Sequence, residues 1–344
     1  MKALWCNEPG KMVFEDRPDP FPGPGRVRLK VLATAVCGSD KKTFIKGQRF
    51  GGGKRISGHE FVGIVDLAGE GTDAANLGKR MCAYPVPYCN DCEECRAGYV
   101  NLCRNRSYIG GRDYDGGFAE YVIVPENMLL EVPDRVTDLE AAMTEPFAVA
   151  LHAVNQAGGR SLKGKTLVIY GTGPVGFFAL EAAKVCEVDR VIVVGRTECK
   201  LRLAMLHGAY ATINTCGKSA EELRSELFRI NGGTGADAVI DAIGMESSLN
   251  EALLLCRPHG RVAVVGMMND RFPVDMGIVI RNELSVTGSY TYVTEMLESL
   301  QLMGSGNVSI GYIANPVAPL SEGPAVFKKL IEKPNECIKA VFIP

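Results

Sequence analysis

The chain has 344 residues, 46% of them hydrophobic and 23% charged, with a formal net charge of −2. That length suggests two domains, and the composition is that of an ordinary globular protein. A near-neutral balance gives no electrostatic reason to expect nucleic acid or an anionic membrane as partner, and no apolar run reaches the roughly 20 residues that spanning a bilayer requires.

Residues 1–35 set short apolar runs around a proline-rich bend, Pro18–Pro24. Val27–Ala35 alternates as a strand with one solvent face does. Proline and glycine punctuation followed by brief strands continues to about Pro133, which predicts a largely β first region. Within it, Cys37-Gly-Ser-Asp40 and Gly58-His59-Glu60 stand about twenty residues apart. A cysteine, a histidine and a carboxylate can hold Zn²⁺ and leave room for a substrate. Taken separately, each has a plainer reading that outweighs the ligand role: Cys37 as a small buried residue and His59 as a satisfied loop histidine. Lys41 and Lys42 follow directly on the first turn, either as a solvated loop or as cations that reach an anion.

Twelve cysteines are many for a disulfide protein of this length, and their spacing points to metal. Cys89, Cys92 and Cys95 recur every third residue, and Cys103 returns after seven more. Four thiolates at this spacing suit a tetrahedral Zn²⁺ with no open position, hence a structural site. A zinc ribbon for nucleic acid would use a similar quartet, but Asp91, Glu93 and Glu94 inside the loop would repel phosphates. Thiolate ligands need reducing surroundings, and the start MKALWCNEPGKM lacks a signal-peptide apolar segment. The expected compartment is the cytoplasm.

Arg135–Ala157 turns helical, with Leu139–Met143 and Pro146–Asn155 as helix material. Glu145 is a carboxylate in an otherwise apolar stretch, where burial is costly unless it is paired or metal-bound. His152, His207 and His259 have no comparable neighbours and read as structural. From about Leu162 to Gly288 strands and helices alternate, which implies a parallel sheet with helices on both faces. The strands expected are Leu167–Tyr170, Arg190–Val194, Ala238–Asp241, Arg261–Val265 and Leu284–Thr287. Glu322–Ile331 and Ile338–Phe342 then read as helix and strand. No internal repeat is present.

Between the first two of those strands lies Gly171-Thr-Gly173-Pro174-Val175-Gly176, opening a helix former, Phe177–Lys184. A strand, a glycine turn and a helix place bare backbone N–H groups where a pyrophosphate approaches. The second strand completes a βαβ unit of the expected size, so this is read as a dinucleotide site. An acid that binds the ribose 2′-OH of NAD normally ends the second strand. Here that place is Gly195, followed by Arg196, Thr197 and Lys200, which favours NADP(H) with Arg196 as the donor fork. The alternative is that Arg196 stacks on adenine and NAD still binds.

These pieces in this order resemble the medium-chain, zinc-dependent alcohol dehydrogenase superfamily over essentially the whole chain. The match runs through Cys37-Gly-Ser-Asp, Gly58-His-Glu, the Cys89–Cys103 lobe, Gly117-Phe-Ala-Glu-Tyr121, Glu145-Pro and Gly171–Gly176. Cys37-Gly-Ser-Asp with His59, Glu60 and Glu145 looks like the polyol branch, which includes sorbitol and threonine dehydrogenases. Patches at Tyr108–Arg112, Asp115–Tyr121 and Ile280–Ser289 look closest to the galactitol-1-phosphate 5-dehydrogenases.

The resemblance implies a mixed α/β chain: a GroES-like, mainly β catalytic domain (1–155 and 289–344) and a Rossmann doubly wound domain (156–288). It implies dimers or tetramers and two Zn²⁺ per chain, one structural and one catalytic. Cys37 and His59 would hold the catalytic ion, with Glu60 or Glu145 completing the shell directly or through water. Ser39 would carry the proton from the substrate hydroxyl. Where the branch often has a histidine five residues after the ligand cysteine, this chain has Lys42, so a relay through that histidine is absent. Lys42 and Arg112, with Lys41 and Arg281, are candidates for a substrate phosphate. The reaction implied is a secondary alcohol of a polyol or sugar-alcohol phosphate exchanged with its ketone. The alternatives are a threonine-type 3-hydroxy amino acid, an unphosphorylated polyol or cyclitol, or a non-catalytic protein that kept both binding sites.

Overall fold

The computed structural model describes residues 1–47, 55–111, 113–267 and 271–344. It divides into two compact units, Met1–Pro146 with Met296–Pro344, and Phe147–Glu295.

The first unit is built on a seven-stranded sheet. Its path runs Ala314–Pro319, Lys339–Ile343, Arg26–Ala35, Glu60–Ala68, Arg80–Ala83 and Leu129–Glu131, with Tyr121–Pro125 also paired to Arg26–Ala35. Arg26–Ala35 is therefore a central strand. Its Val27, Leu29 and Val31 are buried with Phe61, Val65, Met81, Val122 and Val124. A second cluster joins Leu4 and Trp5 to Phe118, Phe327 and Phe342. The rings of Phe118 and Phe342 meet edge to face at 5.8 Å, the arrangement their quadrupoles favour. The C-terminal strand thus belongs to the same sheet as residues near the start of the chain, with Val341 opposite Ala35.

One local expectation changes. Cys37-Gly-Ser-Asp40 reads as a turn, but it opens a helix, Gly38–Lys46, with Cys37 at its N-cap. Asp40 makes the start possible: its Oδ2 accepts the Cys37 N–H at 2.8 Å, one of the donors that a helix N-terminus leaves unpaired.

The second unit holds a six-stranded sheet, every pair parallel, in the order Ala211–Asn214, Arg190–Gly195, Thr166–Tyr170, Ala236–Asp241, Cys256–Val264, Ser285–Gly288. By chain order the strands run third, second, first, fourth, fifth, sixth, so the direction of winding reverses between Thr166–Tyr170 and Ala236–Asp241. Ligands of doubly wound sheets bind at the carboxyl ends of the strands beside that reversal. The core is aliphatic, with Val168, Ile192, Val194, Val239 and Val262 all buried. Five of the six strands match sequence expectations to within a few residues. The sixth, Ala211–Asn214, is a short edge strand carrying Thr212 and Asn214, and it has no continuous apolar run to announce it. Among the described residues no helix is long and apolar enough to cross a membrane.

Candidate functional site

Three neighbouring strands of the first unit converge at one end of its sheet. Arg26–Ala35 leads into Cys37, Glu60 opens the next strand opposite Ala35, and Lys339 opens the strand on the other side. The Cys37 sulfur, a His59 ring nitrogen and a Glu60 carboxylate oxygen all lie within 4.8 Å of one another. His59 is held there by glycines. Gly58 has φ +94°, and a Cβ on it would meet the Phe118 ring at 2.6 Å. Gly116 and Gly117 donate to the carbonyls of Ile56 and Gly58 at 2.8 and 2.7 Å. A Cβ on Gly116 would stand 2.1 Å from the Gly58 oxygen. The Asp115-Gly-Gly-Phe motif is thus the packing that shapes the loop carrying His59.

The electrostatics bind this group together. Burial alone would depress His59. The Cys37 sulfur, by charge and by hydrogen bond, outweighs it with help from Asp40 and Glu145, and holds the imidazole well above its ordinary value. Asp40 is pushed up by its own burial. Lys339 donates to Glu60 Oε1 at 2.6 Å and stands 2.5 Å from Oε2. One thiol, one imidazole and one carboxylate, their ligand atoms gathered at one point, form a donor set whose chemistry fits Zn²⁺ while leaving coordination incomplete.

Glu145 is buried and close enough for its charge to act on His59 and on Lys339, but it is not one of the three mutually clustered donors. Ser39 is half-buried on the new helix, and Lys42 lies one turn further along it. Lys41 is depressed by burial and by the neighbouring Lys339 charge. Arg112 lies outside the described residues. The Arg281 guanidinium folds back over its own helix, 2.8 Å from where a Gly277 Cβ would stand. Asp40 and Lys339 are the members of this group that sequence reasoning misses. The signal for Lys339 is the single charge in Cys337–Pro344, an otherwise apolar run.

Cys89, Cys92, Cys95 and Cys103 form a second group, their sulfurs also within 4.8 Å of one another. The Cys92 N–H points at the Cys89 sulfur at 3.3 Å and the Cys89 N–H at the Cys103 sulfur at 3.4 Å. Backbone N–H groups of Asp91 and Cys92 hold Cys89 down at about 6, whereas burial and the neighbouring sulfurs push Cys95 up to about 12. Four sulfurs this close contend for protons, and a dication resolves the contention by taking all four as thiolates.

In the second unit, strand Thr166–Tyr170 ends in Gly171, and Gly173 caps helix Pro174–Val185 with Pro174 at its first position. Gly171 has φ +124°, and a Cβ on Gly176 would stand 2.0 Å from the Gly171 oxygen. Those two glycines serve the turn itself. A Cβ on Gly173 would meet nothing within 4 Å, so packing gives no reason for glycine there. Open space at a helix N-terminus is the cradle a pyrophosphate fits. Val175 is half-buried in the first turn.

Gly195 ends the second strand, and a Cβ there would strike Thr172 at 2.6 Å. Arg196 is exposed beside it, and Thr197 caps helix Glu198–Leu206, which carries Lys200. The nearest acid, Glu198, accepts from Asn214 at 3.0 Å. Across the reversal, buried Asp241 accepts from the N–H groups of Ile243 and Gly244 at 2.9 and 3.0 Å, organising the loop at the switch point. Sequence reasoning gives no role to Asp241. The histidines taken as structural are accounted for: His152 pairs with Glu295 at 2.9 Å in the interior, and His259 with Glu283 at 3.2 Å on the surface. His207 ends a helix, and burial depresses it.

Residues 23–134 match the alcohol dehydrogenase GroES-like domain, and residues 174–305 match the zinc-binding dehydrogenase domain. The chain is 32% identical to the starvation-sensing protein RspB of Escherichia coli K12 over 84% of this chain and 83% of that protein. It is 29% identical to sorbitol dehydrogenase of Bacillus subtilis over 100% and 97%. Among solved structures, rspB of E. coli CFT073, complexed with NADH, superposes with a TM-score of 0.91 at 27% identity, covering 100% and 99% of the two chains. A zinc-binding dehydrogenase of Sinorhizobium meliloti 1021 bound to NADP gives 0.90 at 30%, also over 100% and 99%. Galactitol-1-phosphate dehydrogenase of E. coli gives 0.91 at 26% over the whole of both chains. The chain belongs to the zinc-dependent alcohol dehydrogenase family, in its polyol branch.

Proposed function

We propose that this chain is a zinc-dependent dehydrogenase that interconverts a secondary alcohol of a polyol or sugar-alcohol phosphate with its ketone, using NADP(H) in preference to NAD(H). The observation that carries the reading is the convergence of Cys37, His59 and Glu60 at one end of the first unit's sheet. Catalysis is assigned to 1–155 with 289–344, and dinucleotide binding to 156–288. Gly171, Gly173, Pro174, Val175 and Gly176 receive the pyrophosphate, and Arg196, Thr197 and Lys200 the adenosine ribose.

Zinc, when bound, supplies a Lewis acid that makes a hydroxyl acidic, and the nicotinamide supplies the hydride acceptor. The chain does the rest. Cys37 and His59 hold the metal, Glu60 or Glu145 completes the shell, and Ser39 carries the hydroxyl proton away. Asp40 fixes Cys37 through its backbone N–H. Cys89, Cys92, Cys95 and Cys103 hold a second, structural zinc. The Ser285–Gly288 edge of the six-stranded sheet, largely exposed, supports pairing with a second copy in a dimer or tetramer. The proposed setting is the cytoplasm.

Lys42 and Arg112 are proposed to meet a substrate phosphate; the likeness to galactitol-1-phosphate dehydrogenase supports this. The test follows nicotinamide absorbance over a panel of matched sugar alcohols with and without phosphate, plus threonine, with each cofactor. A phosphate that gains charged hydrogen bonds should raise kcat/KM at least about tenfold, and Lys42→Met should erase most of that gain. A better free polyol, or equal losses on both substrates in Lys42→Met, rejects the phosphate. Turnover of threonine instead moves the enzyme to the amino acid branch. Silence across the whole panel, with both cofactors bound, favours a non-catalytic binding protein.

A further inference from the structure

In the second unit's sheet the hydrogen-bond ladder continues past the strands' carboxyl ends. Gly171 donates to Val194 at 2.8 Å, Ala242 to Tyr170 at 3.0 Å, Val265 to Asp241 at 3.0 Å and Ser289 to Val264 at 2.9 Å. This belt is the floor of the crevice that a dinucleotide crosses. It is built from backbone, and a buried side chain joins it at the fourth strand. Asp241, 0% exposed, holds two loops at once. Its carbonyl accepts from Val265 and Gly266, both at 3.0 Å, in the loop after the fifth strand. Its carboxylate Oδ1 accepts from Ile243 and Gly244, in the loop after its own strand. Oδ2 accepts from Ser248 Oγ at 3.2 Å, in the first turn of helix Glu246–Leu255. The two loops touch backbone to backbone. A Cβ on Gly244 would stand 2.1 Å from the Gly266 oxygen, and one on Gly266 would stand 2.2 Å from the Ile243 carbonyl carbon. Ile243 in turn lies against the glycine turn, its Cγ1 3.0 Å from where a Gly171 Cβ would be. A carboxylate shut away from water is costly, and an apolar residue would end a buried strand more cheaply. What Asp241 supplies instead is a fixed place for backbone groups at the switch point.

We propose that Asp241 is a positioning residue for the dinucleotide: by clasping the loops after the fourth and fifth strands together, it presets the seat of the cofactor's nicotinamide half. A doubly wound sheet is two mononucleotide-binding halves, and strands four to six form the second. The first half, with the glycine turn and Arg196, keeps its own backbone contacts when the clasp is lost. This rests on the dinucleotide reading of the second unit and is indifferent to the choice between NADP(H) and NAD(H).

The experiment titrates NADH and NADPH by fluorescence. It titrates AMP and adenosine 2′,5′-bisphosphate, which fill only the first half, by calorimetry. Asp241→Ala orphans the Ile243 and Gly244 N–H groups, and the loop shifts to find them other partners. Both dinucleotides should weaken at least about tenfold, the effect of a buried donor left unpaired. The two mononucleotides should bind as they do to the wild type. Asp241→Asn keeps an Oδ1 acceptor and sets an amide donor against Ser248 Oγ, so it should restore wild-type affinity. Ser248→Ala also removes a buried hydrogen bond but leaves both loops clasped; it should lower stability and spare the affinity. Gly244→Ala parts the same loops with Asp241 in place, and it carries the expectation of Asp241→Ala if that variant fails to fold.

A folded Asp241→Ala, or in its stead Gly244→Ala, that binds both dinucleotides as the wild type does would overturn the proposal. So would mononucleotides weakened in step with the dinucleotides, because Asp241 would then support the fold as a whole. An Asp241→Asn variant as weak as Asp241→Ala would overturn it too, since the clasp needs an acceptor and not a charge. A wild-type protein that binds neither dinucleotide would instead overturn the dinucleotide reading itself.

Discussion

The centre at the end of the first unit's sheet and the glycine turn of the second unit hold their ligands by opposite means. The first is made of side chains recruited from distant parts of the chain: residues 37, 40, 59, 60 and 339 meet because three strands are neighbours. The second is made of backbone within one βαβ unit, where the requirement is the absence of side chains at Gly171, Gly173 and Gly176. A recruited site can change ligand by one substitution and keep its fold. A backbone site cannot lose a packing glycine without disturbing the turn that makes it.

The largest contrast is expected from Cys37→Ser and Cys103→Ser. Replacing Cys37 should take turnover below detection while thermal unfolding and dinucleotide binding persist, since only a recruited ligand is lost. Replacing Cys103 leaves three thiolates of a local, closed set, and metal binding there is folding free energy. Stability should fall by about 4 kcal/mol or more, a loss typical of a broken metal site. Denaturant titration beside an activity assay checks both. Equal effects of the two changes on stability would erase the distinction between the centres.

Cofactor choice is the next effect in size. Arg196→Ala should weaken NADP(H) about 10- to 150-fold, the worth of a charged hydrogen bond, and leave NAD(H) nearly unchanged. Gly195→Asp alone should not recover NAD(H), because its Cβ meets Thr172 at 2.6 Å. The same change with Thr172→Ala should. Fluorescence titration of both nucleotides reads these outcomes, and equal losses for both cofactors in Arg196→Ala reject the assignment.

The glycines give the smallest and sharpest pair. Gly176→Ala overpacks the turn, so the ligand-free protein should lose about 1–3 kcal/mol. Gly173→Ala has open space around it, so ligand-free stability should stay within about 0.5 kcal/mol. Its dinucleotide affinity should nevertheless drop at least about tenfold as the Cβ keeps phosphate from backbone N–H groups. A stability loss in Gly173→Ala as large as in Gly176→Ala would make both glycines mere turn residues.

The same contrast decides what the sequence discloses. The glycine turn and the cysteine quartet are legible because their members lie within a few residues of one another and their spacing is itself the geometry. Cys37, His59 and Glu60 are visible as candidates, but nothing along the chain shows that Lys339 lies against Glu60 or that Asp40 caps the helix under Cys37. Those contacts depend on strand order, which is a property of the sheet. Helix Gly38–Lys46 passes for a turn because Gly38, Ser39 and Asp40 are weak helix formers, and its start depends on the Asp40 cap. Ala211–Asn214 escapes notice because an edge strand need not be apolar on both faces. Asp241 looks like the polar end of a strand, and only the fold makes it the acceptor that builds the switch-point loop.

The central claim is that one chain holds two zinc ions of different kinds, with chemistry at only one of them. Elemental analysis of fully active protein, set beside the same measurement on Cys37→Ser, tests it most directly. The account expects two zinc equivalents per chain in the active protein, and one in a Cys37→Ser variant that is folded, binds dinucleotide and does not turn over. A single equivalent in fully active protein, or a Cys37→Ser variant that keeps its turnover, would contradict it.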